Sequence, residues 1–314
     1  MSEAGGHPID GATRLFGIVG DPVDQVRSPQ VFNPMLASAG HNAVLVPMHV
    51  HPDRFEKTLR GLMALGNLDG LVVTVPYKPR ALALADRVLP TGLQVGAVNA
   101  LRREPDGTWT ADMFDGRGLT RGLASQGLSV RGARAMVIGA GGAGSAVVVA
   151  LAEAGAEAIT LFDLDHAKAE ALAARVREGY PACAVGFGPP DVEGRDILIN
   201  ATPIGMAPED GLPAELGSLP ASLLVVDVIM KPEVTPLMRH ADACGCRVIG
   251  GRVMLEGQTE ELARFLGIGR TYAYRLLSEG EIPSVRLGRL RKVRRTDAEK
   301  FVEARIEHGG PDAA

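Results

Sequence analysis

The sequence is poor in cysteine, in aromatic residues and in long apolar runs. Three cysteines, Cys183, Cys244 and Cys246, are too few for a disulfide framework, so we expect a reducing compartment. Cys244 and Cys246 lack neighbouring residues at zinc-site spacing, and no metal is predicted. No apolar run is long enough to cross a membrane, and the first dozen residues are Gly-rich and polar, unlike a signal peptide. These absences predict a cytoplasmic protein that binds neither a metal nor a membrane.

The charge of the chain is unevenly distributed. The 314 residues carry a net charge of −4 and suffice for two domains and a small appendage. Residues 270–295 contain eight Arg or Lys residues and two Glu, a net charge of +6, which leaves −10 for the remainder. This asymmetry predicts an anionic partner for the C-terminal segment.

A glycine-rich loop between an apolar strand and a small-residue helix stands in the middle of the chain. Strands are predicted at 135–138 and 158–162, with a helix at 145–154 between them. This order is typical of the β-α-β unit that binds dinucleotides. The helix N-terminus contributes partial positive charge towards a pyrophosphate. The loop residues expected to approach the pyrophosphate are Gly139, Gly141, Gly142, Ala143 and Gly144.

The acid at the end of the second strand predicts which dinucleotide binds. A carboxylate at Asp163 would accept hydrogen bonds from both hydroxyls of the adenosine ribose. A 2′-phosphate would need Arg or Lys there, whereas the chain continues with Leu164 and Asp165 and has no base before Lys168. We therefore expect NAD as the cofactor, with NADP as the alternative.

Strands and helices alternate on both sides of this unit, which predicts parallel sheets covered by helices. The predicted fold class is α/β, with an N-terminal α/β substrate domain, a Rossmann nucleotide-binding domain and a small C-terminal winged helix-turn-helix. The expected boundaries are a flexible N-terminus at 1–13, a substrate-binding and catalytic domain at 14–115, the Rossmann domain at 116–249, a return segment at 250–258 and the winged helix-turn-helix at 259–309.

Seven short motifs occur in order between residues 15 and 258. They are GDP at 20–22 with RSP at 27–29, VTVPYK at 73–78, GAVN at 96–99, DG at 115–116, GAGGAG at 139–144, NATPIGM at 200–206 and GGRVMLEGQ at 250–258. Together these motifs resemble the shikimate dehydrogenase family. The resemblance implies reversible reduction of 3-dehydroshikimate, or of a close cyclic hydroxy acid, by a nicotinamide cofactor.

The resemblance also implies roles for the matched positions. Lys78 would be the catalytic acid/base, paired with Asp115. A ring ketone needs a proton on its oxygen as hydride reaches its carbon, and a lysine at a strand end suits this task if its pKa is tuned towards neutrality. The implied substrate-binding residues are Ser28, Thr74, Asn99 and Gln258, and the implied further cofactor-binding residues are Thr202 and Met206.

Four positions depart from the family pattern, and each loses a polar group. The first serine of the early motif is Val26, the asparagine before VTVPYK is Val72, the Asn-Thr pair before Asp115 is Met113-Phe114, and the tyrosine of a late motif is Met230. A ligand oxygen left unpaired by these changes would bind less well. The departures keep a different substrate open as an alternative.

The C-terminal segment resembles the winged helix-turn-helix of excisionase-like and MerR-like DNA-binding domains. A helix and turn at 260–269 precede a recognition helix at 270–277 and a basic hairpin at 285–293. Because one such module is small, a homodimer on paired half-sites is expected to bind duplex DNA. The expected DNA-binding residues are Arg270, Tyr272, Arg275, Arg289, Arg291 and Lys292.

Three functions therefore remain open at the level of the sequence. The first is a shikimate dehydrogenase-like oxidoreductase, which retention of Lys78 and Asp115 favours. The second is an NAD-dependent quinate/shikimate-type enzyme with another hydroxy acid as substrate. The third is a DNA-binding regulator whose dehydrogenase-like body senses a ligand, and the four polar losses favour either of these last two.

Overall fold

The computed structural model of the chain describes residues 9–268, 284–287 and 290–293. Most of this chain forms two six-stranded sheets that are covered by helices. No helix in the described residues combines the length and apolar character needed to cross a membrane.

The first sheet has the strand order β2-β1-β3-β5-β6-β4. Its strands are β1 (Arg14–Gly20), β2 (Ala43–His49), β3 (Leu68–Val73), β4 (Arg87–Val88), β5 (Ala100–Arg103) and β6 (Trp109–Asp112). The helices that accompany it are α1 (Ser28–Ser38), α2 (Phe55–Met63), α3 (Lys78–Leu82) and α4 (Pro90–Val95), with a short 3₁₀ turn at Pro52–Arg54.

This first sheet is mixed, which corrects the expectation of parallel sheets throughout. The pairs β1–β2 and β1–β3 are parallel, but β5 pairs antiparallel with both β3 and β6. The connection from β5 to β6 is a tight turn around Asp106 and Gly107, where Gly107 has φ 88°. So short a link allows only antiparallel pairing, because a parallel partner needs a crossover of a dozen or more residues.

The second sheet is parallel throughout and has the strand order β12-β11-β10-β7-β8-β9. Its strands are β7 (Arg134–Ile138), β8 (Ala158–Phe162), β9 (Ala184–Phe187), β10 (Ile197–Asn200), β11 (Leu224–Asp227) and β12 (Arg247–Ile249). Its helices are α6 (Gly142–Glu153), α7 (His166–Gly179) and α8 (Pro236–Ala243). Residues from Gly144 to Ala152 of α6 are all buried, as expected for a helix that is apolar all round.

Two further helices connect the two halves of the molecule. Helix α5 (Asp115–Ser125) follows β6, and α9 (Arg252–Phe265) follows β12 and packs along α5. Glycines permit the contact: a Cβ on Gly257 of α9 would lie 2.0 Å from the Gly118 carbonyl oxygen of α5, and one on Gly122 would lie 2.1 Å from the Val253 carbonyl oxygen. Substituting either glycine would therefore force α5 and α9 apart.

A hairpin, β13 (Ser284–Leu287) and β14 (Leu290–Val293), lies beyond α9. Its strands pair antiparallel with Arg286 opposite Arg291. This is the stretch in which the sequence predicts the basic wing.

Candidate active site

The loop that follows β3 is held rigidly by Tyr77. The Tyr77 ring is fully buried and stacks on Phe55 with 4.1 Å between ring centroids. The Tyr77 hydroxyl donates a hydrogen bond to the Val50 carbonyl, and the Lys78 carbonyl accepts one from the Val98 amide at 3.0 Å. Lys78, the first residue of α3, therefore has a fixed backbone at the end of β3.

Lys78 is joined to a chain of buried polar side chains. Its ammonium Nζ lies 2.5 Å from Oδ2 of Asp115, the first residue of α5. Asn99 donates through Nδ2 to Asp115 Oδ1 at 2.7 Å and to Gln258 Oε1 at 3.1 Å. Exposure is 8% for Lys78, 3% for Asp115, 2% for Asn99 and 7% for Gln258. The structure thus brings together four predicted site residues that are far apart in the sequence.

The orientation of the Asn99 amide follows from its partners. Its Oδ1 accepts from the Phe114 backbone amide at 3.0 Å, and both hydrogens of its Nδ2 are engaged by Asp115 and Gln258. Gln258 Nε2 has no partner among the described residues and stays available to a ligand. The network therefore fixes the Asp115 carboxylate beside Lys78 and leaves the Gln258 Nε2 group free to donate.

The two hydroxyls predicted to bind substrate are those of Ser28 and Thr74. Ser28 is the first residue of α1 and is buried, and Thr74 follows β3 and is half-buried. Neither hydroxyl has a hydrogen-bond partner within residues 9–268. Both are thus free to bind a polar ligand.

A cleft of about 340 Å³ separates the two sheets and is open to solvent. Thr74 and Lys78 line one wall. Residues predicted to hold the cofactor line the other wall: Gly141, Gly142, Ala143, Thr202 and Met206. Asn99, Asp115 and Gln258 lie behind Lys78 rather than in the lining itself. The cleft places the candidate proton donor opposite the glycine-rich loop, as hydride transfer to a bound substrate requires.

The glycine-rich loop permits close approach at three points. Gly139 has φ 103°, a backbone conformation that side chains disfavour. A Cβ on Gly144 would lie 1.9 Å from the Gly139 carbonyl oxygen, and one on Gly142 would lie 2.9 Å from the Cβ of Lys78. The loop backbone and the start of α6 therefore lie against Lys78, and a side chain at Gly142 or Gly144 would collide with its neighbours.

The Asp163 carboxylate directly follows β8 and is hydrogen-bonded to the glycine-rich loop. Its Oδ2 accepts from the Ala140 amide at 2.6 Å and its Oδ1 from the Asp165 amide at 2.9 Å. Asp165 in turn caps α7, because its Oδ1 accepts from the Lys168 amide at 3.1 Å. Leu164 is 90% exposed. Beside Asp163 is a mostly apolar cleft of about 230 Å³ between β8 and the end of β9, which suits a flat aromatic base.

Three of the four departures from the family pattern belong to one apolar cluster. Val72 and Phe114 belong to a cluster that also contains residues of the second half of α9, and Val26 packs against this cluster. The Phe114 ring lies 5.1 Å from that of Phe265. Met230, the fourth, lines the cleft between the sheets. The polar losses at three positions thus accompany the docking of α9, which the separate motifs did not reveal.

An ion pair and two contacts to backbone carbonyls hold the end of α9 against the rest of the protein. Glu261 pairs with Arg121 of α5 at 2.7 Å. Arg102 donates to the Phe265 carbonyl at 2.9 Å, and a His41 ring nitrogen lies 2.9 Å from the Ile268 carbonyl oxygen. The chain is therefore anchored as far as Ile268.

The expected DNA-binding residues all lie beyond Ile268 in the sequence. Arg270, Tyr272, Arg275 and Arg289 lie outside the described residues, whereas Arg291 and Lys292 belong to β14. No group of three or more His, Cys, Asp or Glu side chains in the described part of the chain is arranged to hold a metal.

Three family models match the chain. The shikimate dehydrogenase substrate binding domain matches residues 18–101, shikimate / quinate 5-dehydrogenase matches 122–206, and a helix-turn-helix domain matches 258–306. These matches confirm the predicted fold class and both resemblances.

Curated relatives and solved structures agree with these models. Shikimate dehydrogenase (NADP(+)) of Dinoroseobacter shibae is 37% identical over 245 residues, 77% of this chain and 87% of the relative. The enzyme of that name from Gluconobacter oxydans is 38% identical over 252 residues, covering 80% and 88%. A crystal structure of shikimate dehydrogenase in complex with NADP+ superimposes with a TM-score of 0.75 at 28% identity, covering 87% of this chain and 98% of that one. The chain thus belongs to the shikimate dehydrogenase family of NAD(P)-dependent oxidoreductases that act on a CH–OH group, and it carries a helix-turn-helix segment at its C-terminus.

Proposed function

We propose that the protein catalyses the reversible, nicotinamide-dependent reduction of the ring ketone of 3-dehydroshikimate, or of a close cyclic hydroxy acid. The observation that carries the proposal is the buried Lys78–Asp115 pair at a cleft whose opposite wall is the glycine-rich loop. The relatives named as shikimate dehydrogenases support the substrate class.

In the proposed reaction the bound nicotinamide supplies the hydride, and the protein controls the proton. Lys78 Nζ donates a proton to the ketone oxygen in the direction of reduction and takes it back from the hydroxyl in the direction of oxidation. Asp115 holds the ammonium in place through the 2.5 Å contact, and Asn99 holds Asp115. Ser28, Thr74 and Gln258 bind the polar groups of the substrate ring and keep the reacting carbon near the cofactor.

We further propose that NAD is the preferred cofactor, although the curated relatives are named for NADP(+). Asp163 and Asp165 place two carboxylates where the adenosine ribose would lie, and the exposed Leu164 offers no cation there. A 2′-phosphate would meet like charge at these two carboxylates, and the next basic residue along the chain, Lys168 in the first turn of α7, lines the cleft between the sheets rather than the cleft beside Asp163. The ribose hydroxyls of NAD would instead donate to Asp163.

A turnover screen of the purified protein tests this proposal. Shikimate and quinate are each offered with NAD and with NADP, and formation of the reduced nicotinamide is followed by absorbance. We expect oxidation of shikimate or quinate with NAD, at a higher kcat/KM than with NADP. Lack of turnover of both acids with both cofactors would contradict the proposed reaction.

Binding of duplex DNA is a second candidate function, supported by the helix-turn-helix match at 258–306 and by the net charge of +6 at 270–295. The matched segment begins inside α9, the helix that also carries Gln258 and closes the substrate domain. We infer that the DNA-binding module and the active site share this helix. A homodimer would provide the two modules needed for paired half-sites.

Salt-dependent DNA binding tests this second function. Neutralisation of phosphates by Arg and Lys makes affinity fall steeply with salt. We expect duplex binding at low ionic strength that is lost in Arg289→Glu/Arg291→Glu. The matched control is Lys57→Glu/Arg60→Glu, which makes the same change of charge on the exposed face of α2 and is expected to bind as the wild type does. If both double variants bind duplex DNA as tightly as the wild type does, the basic hairpin at 285–293 has no role in DNA binding.

A further inference from the structure

A cluster of charged side chains joins α5 to α9 outside the cleft. The Glu261 side chain of α9 is 15% exposed, and its Oε1 lies 2.7 Å from the guanidinium of Arg121 in α5. Its Oε2 lies 3.9 Å from Nε of Arg117, which is also in α5. The Arg117 guanidinium in turn lies 3.3 Å from Oδ2 of Asp112, the last residue of β6. The cluster therefore ties α9 both to α5 and to the first sheet.

This cluster lies next to the hydrogen-bonded network that contains Lys78. Gln258 precedes Glu261 by three residues, and side chains at this spacing are neighbours on one face of a helix. Gln258 accepts from Asn99, which also donates to Asp115. Asp115 and Arg117 both belong to the first turn of α5. The same two helices are thus linked twice, once through the Gln258 amide and once, a turn further along α9, through the Glu261 carboxylate.

The glycine contacts where α5 and α9 cross set the separation of the helices but not the rotation of α9 about its axis. The close approaches at Gly257 and Gly122 are van der Waals contacts to backbone, which have little directional preference. Hydrogen bonds and charge-assisted contacts depend on where the polar atoms point. The rotation of α9 is therefore decided by its polar contacts, among which are those of Gln258 and Glu261.

Two atoms of the cluster are shielded from solvent and attract one another. Arg117 Nε and Glu261 Oε2 are both buried and have no hydrogen-bond partner in the described part of the chain. Their separation of 3.9 Å exceeds the usual N–H···O distance by about 1 Å. Opposite charges in a shielded position attract more strongly than in water, and withdrawing either one would leave the other buried and unpaired. The pair therefore resists any rotation that carries Glu261 away from α5.

We propose that Glu261 is a positioning residue of the active site: held by Arg117 and Arg121, it fixes the rotation of α9 and thereby places the Gln258 amide where it binds the substrate. The proposal rests on the proposed dehydrogenase function, in which Gln258 binds a polar group of the substrate ring. Glu261 is not among the residues that line the cleft, so its effect on the reaction must pass through Gln258.

A double-mutant cycle tests this dependence. KM and kcat for the best substrate are measured for the wild type, Glu261→Ala, Gln258→Ala and the double variant. We expect Glu261→Ala to lower kcat/KM about tenfold in the wild-type background and by less than about twofold when Gln258 is already Ala. The loss should appear mainly as a higher KM, because Gln258 holds the substrate and does not transfer the proton. A general loss of stability would instead act equally in the two backgrounds.

Two further variants complete the test. Glu256→Ala is the matched control: it removes an acid of the same helix whose ion pair with Arg252 is exposed and lies within α9. This control is expected to keep the kcat/KM of the wild type. Glu261→Gln keeps the size of the side chain and removes its charge, and it replaces Glu261→Ala in the cycle if that variant does not fold. The same dependence on Gln258 is expected.

Two kinds of outcome overturn the proposal in different ways. If the wild-type protein is active but Glu261 substitution lowers kcat/KM equally in both backgrounds, or either single substitution leaves kcat/KM unchanged, Glu261 does not act through Gln258 while the proposed function stands. If the wild-type protein oxidises neither shikimate nor quinate with NAD or NADP, the proposed function fails and the inference fails with it.

Discussion

The crossing of α5 and α9 fixes the geometry of the active site, and Gly257→Ala tests it. Asp115 is the first residue of α5, and Gln258 of α9 follows Gly257 directly. A Cβ on Gly257 would lie 2.0 Å from the Gly118 carbonyl oxygen and 2.7 Å from the Gly122 amide nitrogen. Both of these atoms belong to helix backbone, so neither can turn aside as a side chain would.

The size of the effect follows from those distances. An ordinary carbon contact begins near 3.4 Å, so α9 must move from α5 by more than about 1 Å. Overpacking of this kind costs about 1–3 kcal/mol, against a helix-propensity gain of up to about 1 kcal/mol for Gly to Ala. Since α9 carries Gln258, the shift also moves a site residue, and a misplacement of about 1 Å reduces turnover by roughly 10²-fold.

The assay combines thermal unfolding with kcat/KM for the best substrate. Gly257→Ala should lower both Tm and kcat/KM. The matched control is Gly61→Ala in α2, where the glycine is exposed and no atom lies within 4 Å of an added Cβ. This control should gain up to about 1 kcal/mol and keep its activity. A Gly257→Ala protein as stable and as active as the wild type would refute the close crossing.

Two further predictions concern the cofactor and the pH dependence of stability. Asp163→Ala with Leu164→Arg should move the preference from NAD towards NADP, and dissociation constants in which the wild type binds NADP more tightly would contradict the role of Asp163. Burial raises the pKa of Asp227 above its ordinary value of 3.8, so the folded state holds this proton more tightly than the unfolded state does. The contribution of Asp227 to stability therefore falls as pH rises above that ordinary value. Asp227→Asn removes this titration. The free energy of unfolding of the variant minus that of the wild type, measured with urea, should therefore rise as pH increases from about 4. A difference that stays flat or falls with pH would show that the pKa of Asp227 is not raised in the folded state.

The nucleotide-binding half of the fold was accessible from the sequence because its signals are local. The apolar strand, glycine-rich loop and small-residue helix appear in the structure as β7, the loop and α6, in the predicted order. The antiparallel pairing of β5 in the first sheet was not accessible from the sequence. The GAVN motif at 96–99 joins the end of α4 to the start of β5, because Gly96 with φ 73° ends the helix.

Tertiary contacts decided the remaining features of the candidate site. Taken one at a time, Val26, Val72 and Phe114 are lost polar groups, whereas in the structure all three belong to or pack against one apolar cluster that includes the second half of α9.

The most direct test of the central claim is the rate of the protein with Lys78 replaced. Lys78→Ala should reduce kcat for oxidation of the best substrate by at least roughly 10²-fold, with little change in the dissociation constant of the reduced cofactor. Lys57→Ala, which removes an exposed lysine of α2, serves as the control and should behave as the wild type. A Lys78→Ala protein that turns over near the wild-type rate would show that Lys78 does not transfer the proton and that the proposed mechanism is wrong.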